Sequence, residues 1–268
     1  MRYENLSETV SIKKISETET NGVFEIDGLY TGYGITLGNS LRRVLLSSLP
    51  GVAITQVKIK GVNHEFSTVP GVLEDVVEII LNLKKVRFKM FTEEPQVLTL
   101  KSKGEGVVKA SEIKTNAQVE LVNPDALIAT ISEKNADLDI ELTVEKGLGY
   151  VPSETRRNQK MGVGVIPIDA IFTPVIAMNF SVDNMRVEDK TDYNKLTISI
   201  QTDGSIAPSA AIKKASEILE SHFKEVAKVE IKEGSMKVVE ASTDEDKDSE
   251  ESKDKKAKKE KKPKKAKK

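Results

Sequence analysis

The chain has 268 residues, 38% hydrophobic and 31% charged, with a formal net charge of −1, two histidines and no cysteine. That is enough apolar material for one large or two moderate soluble cores, and the lack of cysteine excludes disulfides, thiolate metal sites and cysteine nucleophiles together. No stretch reaches transmembrane length and the N-terminus carries no apolar signal region, so the expected compartment is the cytoplasm, with no membrane contact.

From Ile12 to Ile26 apolar and polar residues alternate weakly, which predicts a strand running into a turn at Asp27-Gly28. Thr31 to Gly51 then reads as a turn, an amphipathic helix and a stop at Pro50-Gly51. At about 100° per residue, Leu37, Leu41, Val44, Leu45 and Ser48 share an arc that faces a core. Leu46 projects the opposite way, beside Asn39, Arg42 and Arg43. A leucine flanked by arginines suits a docking surface, because the planar guanidinium fork holds carboxylates and carbonyls in two directions. It suits equally well a solvated basic face with one exposed leucine.

Ala53 to Ile59 is a strand pattern stopped at Gly61. A second helix is predicted from about Leu73 to Lys84, with Leu73, Val76, Val77 and Ile80 on one side and Glu74, Glu78 and Asn82 as a polar row on the other. From Val86 to about Val144, short apolar runs broken by turn residues predict a mostly β region. Gly147 to Gly164 is a polar, glycine-punctuated loop with Arg156, Arg157 and Lys160. Ile176–Val182 and Lys195–Gln201 read as two strands joined around Asp189 to Asn194.

Pro208, at a favoured first-turn position, opens a long helix to about Val229. Ala211, Ile212, Ala215, Ile218, Leu219, His222, Phe223 and Val226 form its apolar stripe, suited to packing on its own sheet or on a second copy. His222 lies inside the stripe and reads as a packed, hydrogen-bonded histidine rather than a catalytic one. Residues 241–252 hold six acids against Lys247, and Lys253–Lys268 hold eleven lysines against Asp254 and Glu260. With no aromatic and almost no apolar residue, 239–268 cannot build a core and is expected to be disordered.

Motifs for chemistry are lacking. There is no G-x-x-x-x-G-K-[ST] phosphate loop and no G-x-S-x-G nucleophile elbow. Gly162-x-Gly164 lacks the third glycine of a dinucleotide fingerprint. Asp137 and Asp139 lie in an alternating strand pattern whose polar face is solvated, which does not make a magnesium site. His64 and His222 have no partner at metal-ligand spacing. No catalytic residue, metal site or cofactor is expected in this chain.

The segment LGNSLRRVLLSSLPG, followed at once by VAITQVKIKGVNHEFSTVPGVLEDVVEIILNLK, resembles the alpha-subunit family of bacterial-type RNA polymerase. The resemblance resumes in GYVPSE, VGVIPIDAIFTPV, KTDYNKL and TDGSIAPSAAIKKASEIL, and covers about Ile12 to about Val229. It implies an α+β fold in which a dimerisation domain of antiparallel sheet and helices, residues 1–50 and 175–238, is interrupted by an inserted mostly-β domain at 51–174. It also implies a non-catalytic homodimeric scaffold that recruits the beta and beta-prime subunits of a nucleotidyltransferase complex for transcription, in the cytoplasm or a plastid. Carried over by motif, Arg42, Arg43 and Leu46, with Glu78, meet the beta subunit, and Lys84 meets beta-prime. The family dimerises through helices of the dimerisation domain, which gives Leu219, His222, Phe223 and Val226 a partner.

This sequence departs from the family in three places. Ile176-Ala177 follow Thr173-Pro174-Val175 where a basic residue or two is common, and Asn194 replaces the usual aspartate of TDYDKL. Residues 239–268 do not encode the small helical DNA-binding domain that family members usually carry. Lys253–Lys268 fit either sequence-independent contact with nucleic-acid phosphates or a solubilising tail. The alternative to the scaffold is therefore a free-standing dimeric nucleic-acid-binding protein that acts through this tail.

Overall fold

The computed structural model describes residues 9–156, 162–187 and 190–229. The expected disordered tail at 239–268, and Arg157 and Lys160 of the polar loop, lie outside the described residues. In chain order the elements are β1 (Ser11–Glu17), β2 (Asn21–Leu29), α1 (Tyr33–Ser47), β3 (Pro50–Ile59), α2 (Val76–Leu83), β4 (Phe88–Met90), β5 (Gln96–Lys103), β6 (Gly106–Lys109), β7 (Ile113–Lys114), β8 (Val119–Leu121) and β9 (Leu127–Ile131). They continue with β10 (Asp137–Leu148), β11 (Tyr150–Val151), β12 (Val165–Pro167), β13 (Ala170–Ile171), β14 (Val175–Val187), β15 (Lys190–Thr202) and α3 (Pro208–Val226). This is an α+β fold in which every strand pair is antiparallel.

Two cores form. A four-stranded sheet of order β1-β2-β15-β14 joins the two ends of the described chain. The residues that alternate inward from it, such as Ile26, Leu196, Ile198 and Met178, pack with Leu41, Leu45, Ala211 and Ala215 of α1 and α3. A five-stranded sheet of order β12-β3-β10-β5-β7 supplies the second core, where Val57, Leu100 and Leu142 meet Ile79 and Leu83 of α2. The outer face of that second sheet is a charge ladder. Lys101 pairs with Asp139 at 2.9 Å and Lys60 with Asp137 at 3.1 Å, so both aspartates are engaged on a solvated polar face.

The expected turn at Asp27-Gly28 is instead a bulge inside one continuous strand. Between Asn194↔Leu29 and Leu196↔Ile26, β2 carries one residue more than β15, and Gly28 absorbs the kink at φ 74°. The hairpin turn comes earlier, where Thr18 N–H donates to the Asn21 carbonyl. The β14–β15 hairpin is longer than the sequence pattern predicts, because alternation continues through polar residues such as Asp183 and Tyr193 that still pair across it.

The second helix also differs from expectation. It begins at Val76, after Asp75, whose Oδ1 accepts the Glu78 N–H at 2.7 Å as an N-cap. Its inward face is Val76, Ile79 and Leu83. Glu74, 8% exposed, is not part of an outer polar row: its carboxylate accepts both the N–H and the hydroxyl of Thr130 on β9. Asn82 is buried as well and donates to the Ile128 carbonyl. Leu73 and Val77 face solvent instead. The physical cause is β9, whose free backbone groups need polar partners from the helix laid over it.

Candidate functional site

α1 lies on the β14–β15 hairpin through two glycines. A Cβ on Gly34 would come within 2.7 Å of Val182 Cγ1, and one on Gly38 within 2.6 Å of Phe180 Cδ2. The line of closest burial therefore runs through Gly34, Gly38, Leu41 and Leu45. Counting apolar side chains passes over the glycines and sets the core face too far round. From that line Arg43 lies about 180° away and Leu46 about 120°. Leu46 is accordingly half-buried and packs on the helix's own core, while its carbonyl accepts the Thr173 hydroxyl at 3.3 Å. The expectation of a fully outward Leu46 is corrected: it sits on the flank of the helix. Arg42 and Arg43 are exposed, and among the described residues neither guanidinium has a hydrogen bond or an ion pair.

The start of α1 is clasped to β15. Gly32, the N-cap residue, has φ 84° and no capping side chain. Asn194, 6% exposed, supplies the missing acceptor: its Oδ1 receives Gly32 N–H at 2.8 Å and Gly34 N–H at 3.4 Å. Its Nδ2 donates to Asn184 Oδ1 on β14 at 3.4 Å. The Thr31 hydroxyl meets the Asp192 carbonyl and carboxylate, and Tyr30 makes edge contacts with both Tyr33 and Tyr193. Only the odd asparagine in KTDYNKL hinted at this arrangement in the sequence.

Glu78 is exposed in the first turn of α2, as its position in the helix suggested. Lys84 is half-buried at the other end, 3.2 Å from Asp169. The Asp169 carboxyl also accepts Ser153 N–H, and that bond, with Lys84 adding to it, holds it below the usual carboxylate range. Between these charges Val77 and Leu81 (52% exposed) continue a ridge from Leu73 (75% exposed), close to a shallow hollow of about 240 Å³ lined by Phe66, Ile80 and Pro167 among others. The sequence signal for this ridge was present but misassigned: a helix of eight residues with apolar groups on two sides has more apolar surface than one core can take.

Along α3 the apolar stripe changes character. Ala211 and Ala215 are buried, Ile212, Ile218 and Leu219 are half-buried against the core that α1 and the sheet share, and from His222 onward everything described is exposed. His222 is corrected from a packed residue to an exposed one, because α3 runs beyond the edge of its own core. Phe223 (64% exposed) and Val226 stand in solvent. Beside α3 a groove of about 720 Å³ opens over Ile12, Phe24, Ile26, Ile198 and Ile212. No helix among the described residues is long and apolar enough to cross a membrane.

Residues 57–173 match the family model described as the RNA polymerase Rpb3/RpoA insert domain. The chain is 51% identical over 209 residues to the DNA-directed RNA polymerase subunit alpha of Symbiobacterium thermophilum, covering 78% of this chain and 66% of that one. It is 51% identical to the subunit of the same name from Alkaliphilus oremlandii, over 80% of this chain and 67% of the other. For Carboxydothermus hydrogenoformans the figures are 52%, 78% and 68%. The chain thus spans about two thirds of the length of these curated relatives.

Proposed function

Since this chain belongs to the family of DNA-directed RNA polymerase alpha subunits, we propose that it works as a homodimeric, non-catalytic scaffold on which the beta and beta-prime subunits assemble. The observation that carries this reading is that Arg42 and Arg43 are exposed and unpaired among the described residues, Arg43 on the outer side and Arg42 on the flank of a helix whose inner side is fixed to a sheet. A cation with no partner among the described residues is poised to receive a carboxylate or carbonyl from another chain. Leu46 contributes from the flank, and Glu78 offers charge of the opposite sign on a second exposed helix. Lys84, with the apolar ridge of α2 beside it, is the proposed beta-prime contact.

The dimer contact is assigned to Leu219, His222, Phe223 and Val226. Phe223 and Val226 leave an apolar helix end in water beyond the half-buried Leu219, and the groove over Ile12 and Phe24 gives a second copy a place to seat it. The proposed domain limits follow the two cores: 1–50 with 175–238 for dimerisation, 51–174 for the insert, and 239–268 as a tail.

Affinity capture of the co-expressed beta subunit tests the scaffold. Wild type retains beta, and Arg43→Ala reduces retention by about tenfold or more while light scattering still reports a dimer. If the wild type retains no large subunit, the scaffold reading fails. The second reading then takes its place, resting on the eleven lysines of 253–268: a DNA-binding dimer whose affinity falls steeply with salt and disappears when those residues are deleted.

A further inference from the structure

We infer that Asn194 is a positioning residue for the arginine face of α1, acting through the first turn of that helix; this rests on the proposed role of Arg42 and Arg43. The first N–H groups of a helix have no partner within it, and α1 brings neither a capping side chain nor an acid in its first turn. Asn194 supplies the acceptor from a strand 162 residues later in the chain. It is itself held by Asn184, so the cap has a fixed direction.

The need for such a pin follows from how α1 rests on the sheet. Gly34 and Gly38 put bare backbone against Val182 and Phe180. A glycine face allows close approach but has no side chains to interlock, so the first two turns of α1 resist displacement poorly, whereas Leu41 and Leu45 hold its second half in the core. Arg43 lies nine residues beyond Gly34, a lever of about 13 Å. A tilt of about 10° shifts the first turn and Arg43 by about 2 Å relative to each other, whereas hydrogen-bond lengths vary by only about half an ångström. Losing the cap therefore misaligns the guanidinium forks without unfolding the sheet beneath them.

The carboxamide also does something an aspartate at this position does not. Its Nδ2 is a donor, so it binds Asn184 while Oδ1 caps the helix. A carboxylate keeps the cap, adds favourable charge at a helix N-terminus, and leaves Asn184 without that donor. Capping is thus the shared property that Asn194→Asp retains and Asn194→Ala removes.

The test uses the full-chain protein co-expressed with the beta subunit and reads capture together with amide hydrogen exchange over residues 32–36. Asn194→Ala should speed exchange in that turn by about tenfold, leave β14 and β15 protected, and lower capture by about tenfold with the dimer intact. Asn194→Asp should restore both. Thr31→Val, an exposed change that removes the hydroxyl bonds to Asp192, should weaken both by a smaller factor and serves if the alanine variant does not fold. If these variants loosen the turn but capture is unchanged while Arg43→Ala abolishes it, the positioning role is wrong. If the turn stays protected in Asn194→Ala, the cap itself is wrong. Capture insensitive to Arg43→Ala would instead overturn the role given to the arginine face, leaving the exchange result to decide the cap alone.

Discussion

At the scale of single residues, the polar groups that matter most are those that complete another element's hydrogen bonding. Glu17, at the end of β1, accepts Ser209 N–H at 2.9 Å in the first turn of α3 and pairs with Lys14 at 3.0 Å. Its bonds to Ser209, with Lys14 adding to them, lower its pKa to about 2. A depressed carboxylate stabilises the fold above its unfolded value of about 4.3, and that contribution is lost as pH falls from there towards 2. Glu17→Gln should therefore be less stable than wild type near neutrality, and the gap should close between pH 5 and pH 2 in thermal melts. A gap that does not change with pH would show that the charge contributes nothing. Glu17, Glu74, Asn82 and Asn194 share a property that made them hard to read. Each looks like a surface residue by type and takes its role from a backbone group distant in sequence. The exposure of Arg42, Arg43 and Glu78 was legible because charged groups on a helix stay in water unless the packing surface brings them a partner.

At the scale of elements, the sequence located the three α-helices of the described residues and most long strands, since apolar periodicity is a local signal. It misjudged rotation. For α1 the contact line passes through glycines; for α2 two apolar faces competed and the one covered by β9 was not the one chosen. Gly38→Ala tests the α1 account. Alanine gains about 0.5–1 kcal/mol in helix propensity, but a Cβ 2.6 Å from the Phe180 ring forces repacking worth about 1–3 kcal/mol. The net expectation is a loss of about 0.5–2 kcal/mol in denaturant unfolding. A gain in stability would mean that α1 sits further from β14 than described. The bulge at Gly28 was missed for a related reason, since Asp-Gly is a turn signal and a bulge uses the same left-handed backbone.

At the scale of the whole molecule, family membership was legible from the long ungapped motifs, and the mostly-β middle from its short apolar runs. Which surfaces stay open was not legible, because that depends on where α3 runs beyond the core that it shares with α1 and the sheet. Phe223→Asp tests the dimer assignment: an exposed position tolerates the charge in the monomer, so unfolding should change little. Dimer dissociation should strengthen about a hundredfold or more, read by light scattering across a dilution series. A dimer unmoved by this change would shift the contact away from the end of α3. The pairing of β2 with β15 has a further consequence, one that concerns time. The helix that carries Arg42 and Arg43 is made early, yet its cap comes from a residue made 162 positions later, and the floor beneath it includes Phe180 and Val182 of β14. At about 5–20 residues per second of synthesis, that is a wait of roughly ten to thirty seconds. During that wait the middle of the chain, whose own core is complete without either end, has time to fold. The arginine helix can take its final orientation only after β14 and β15 have been made, so a newborn chain has no finished docking face until its sheet has closed.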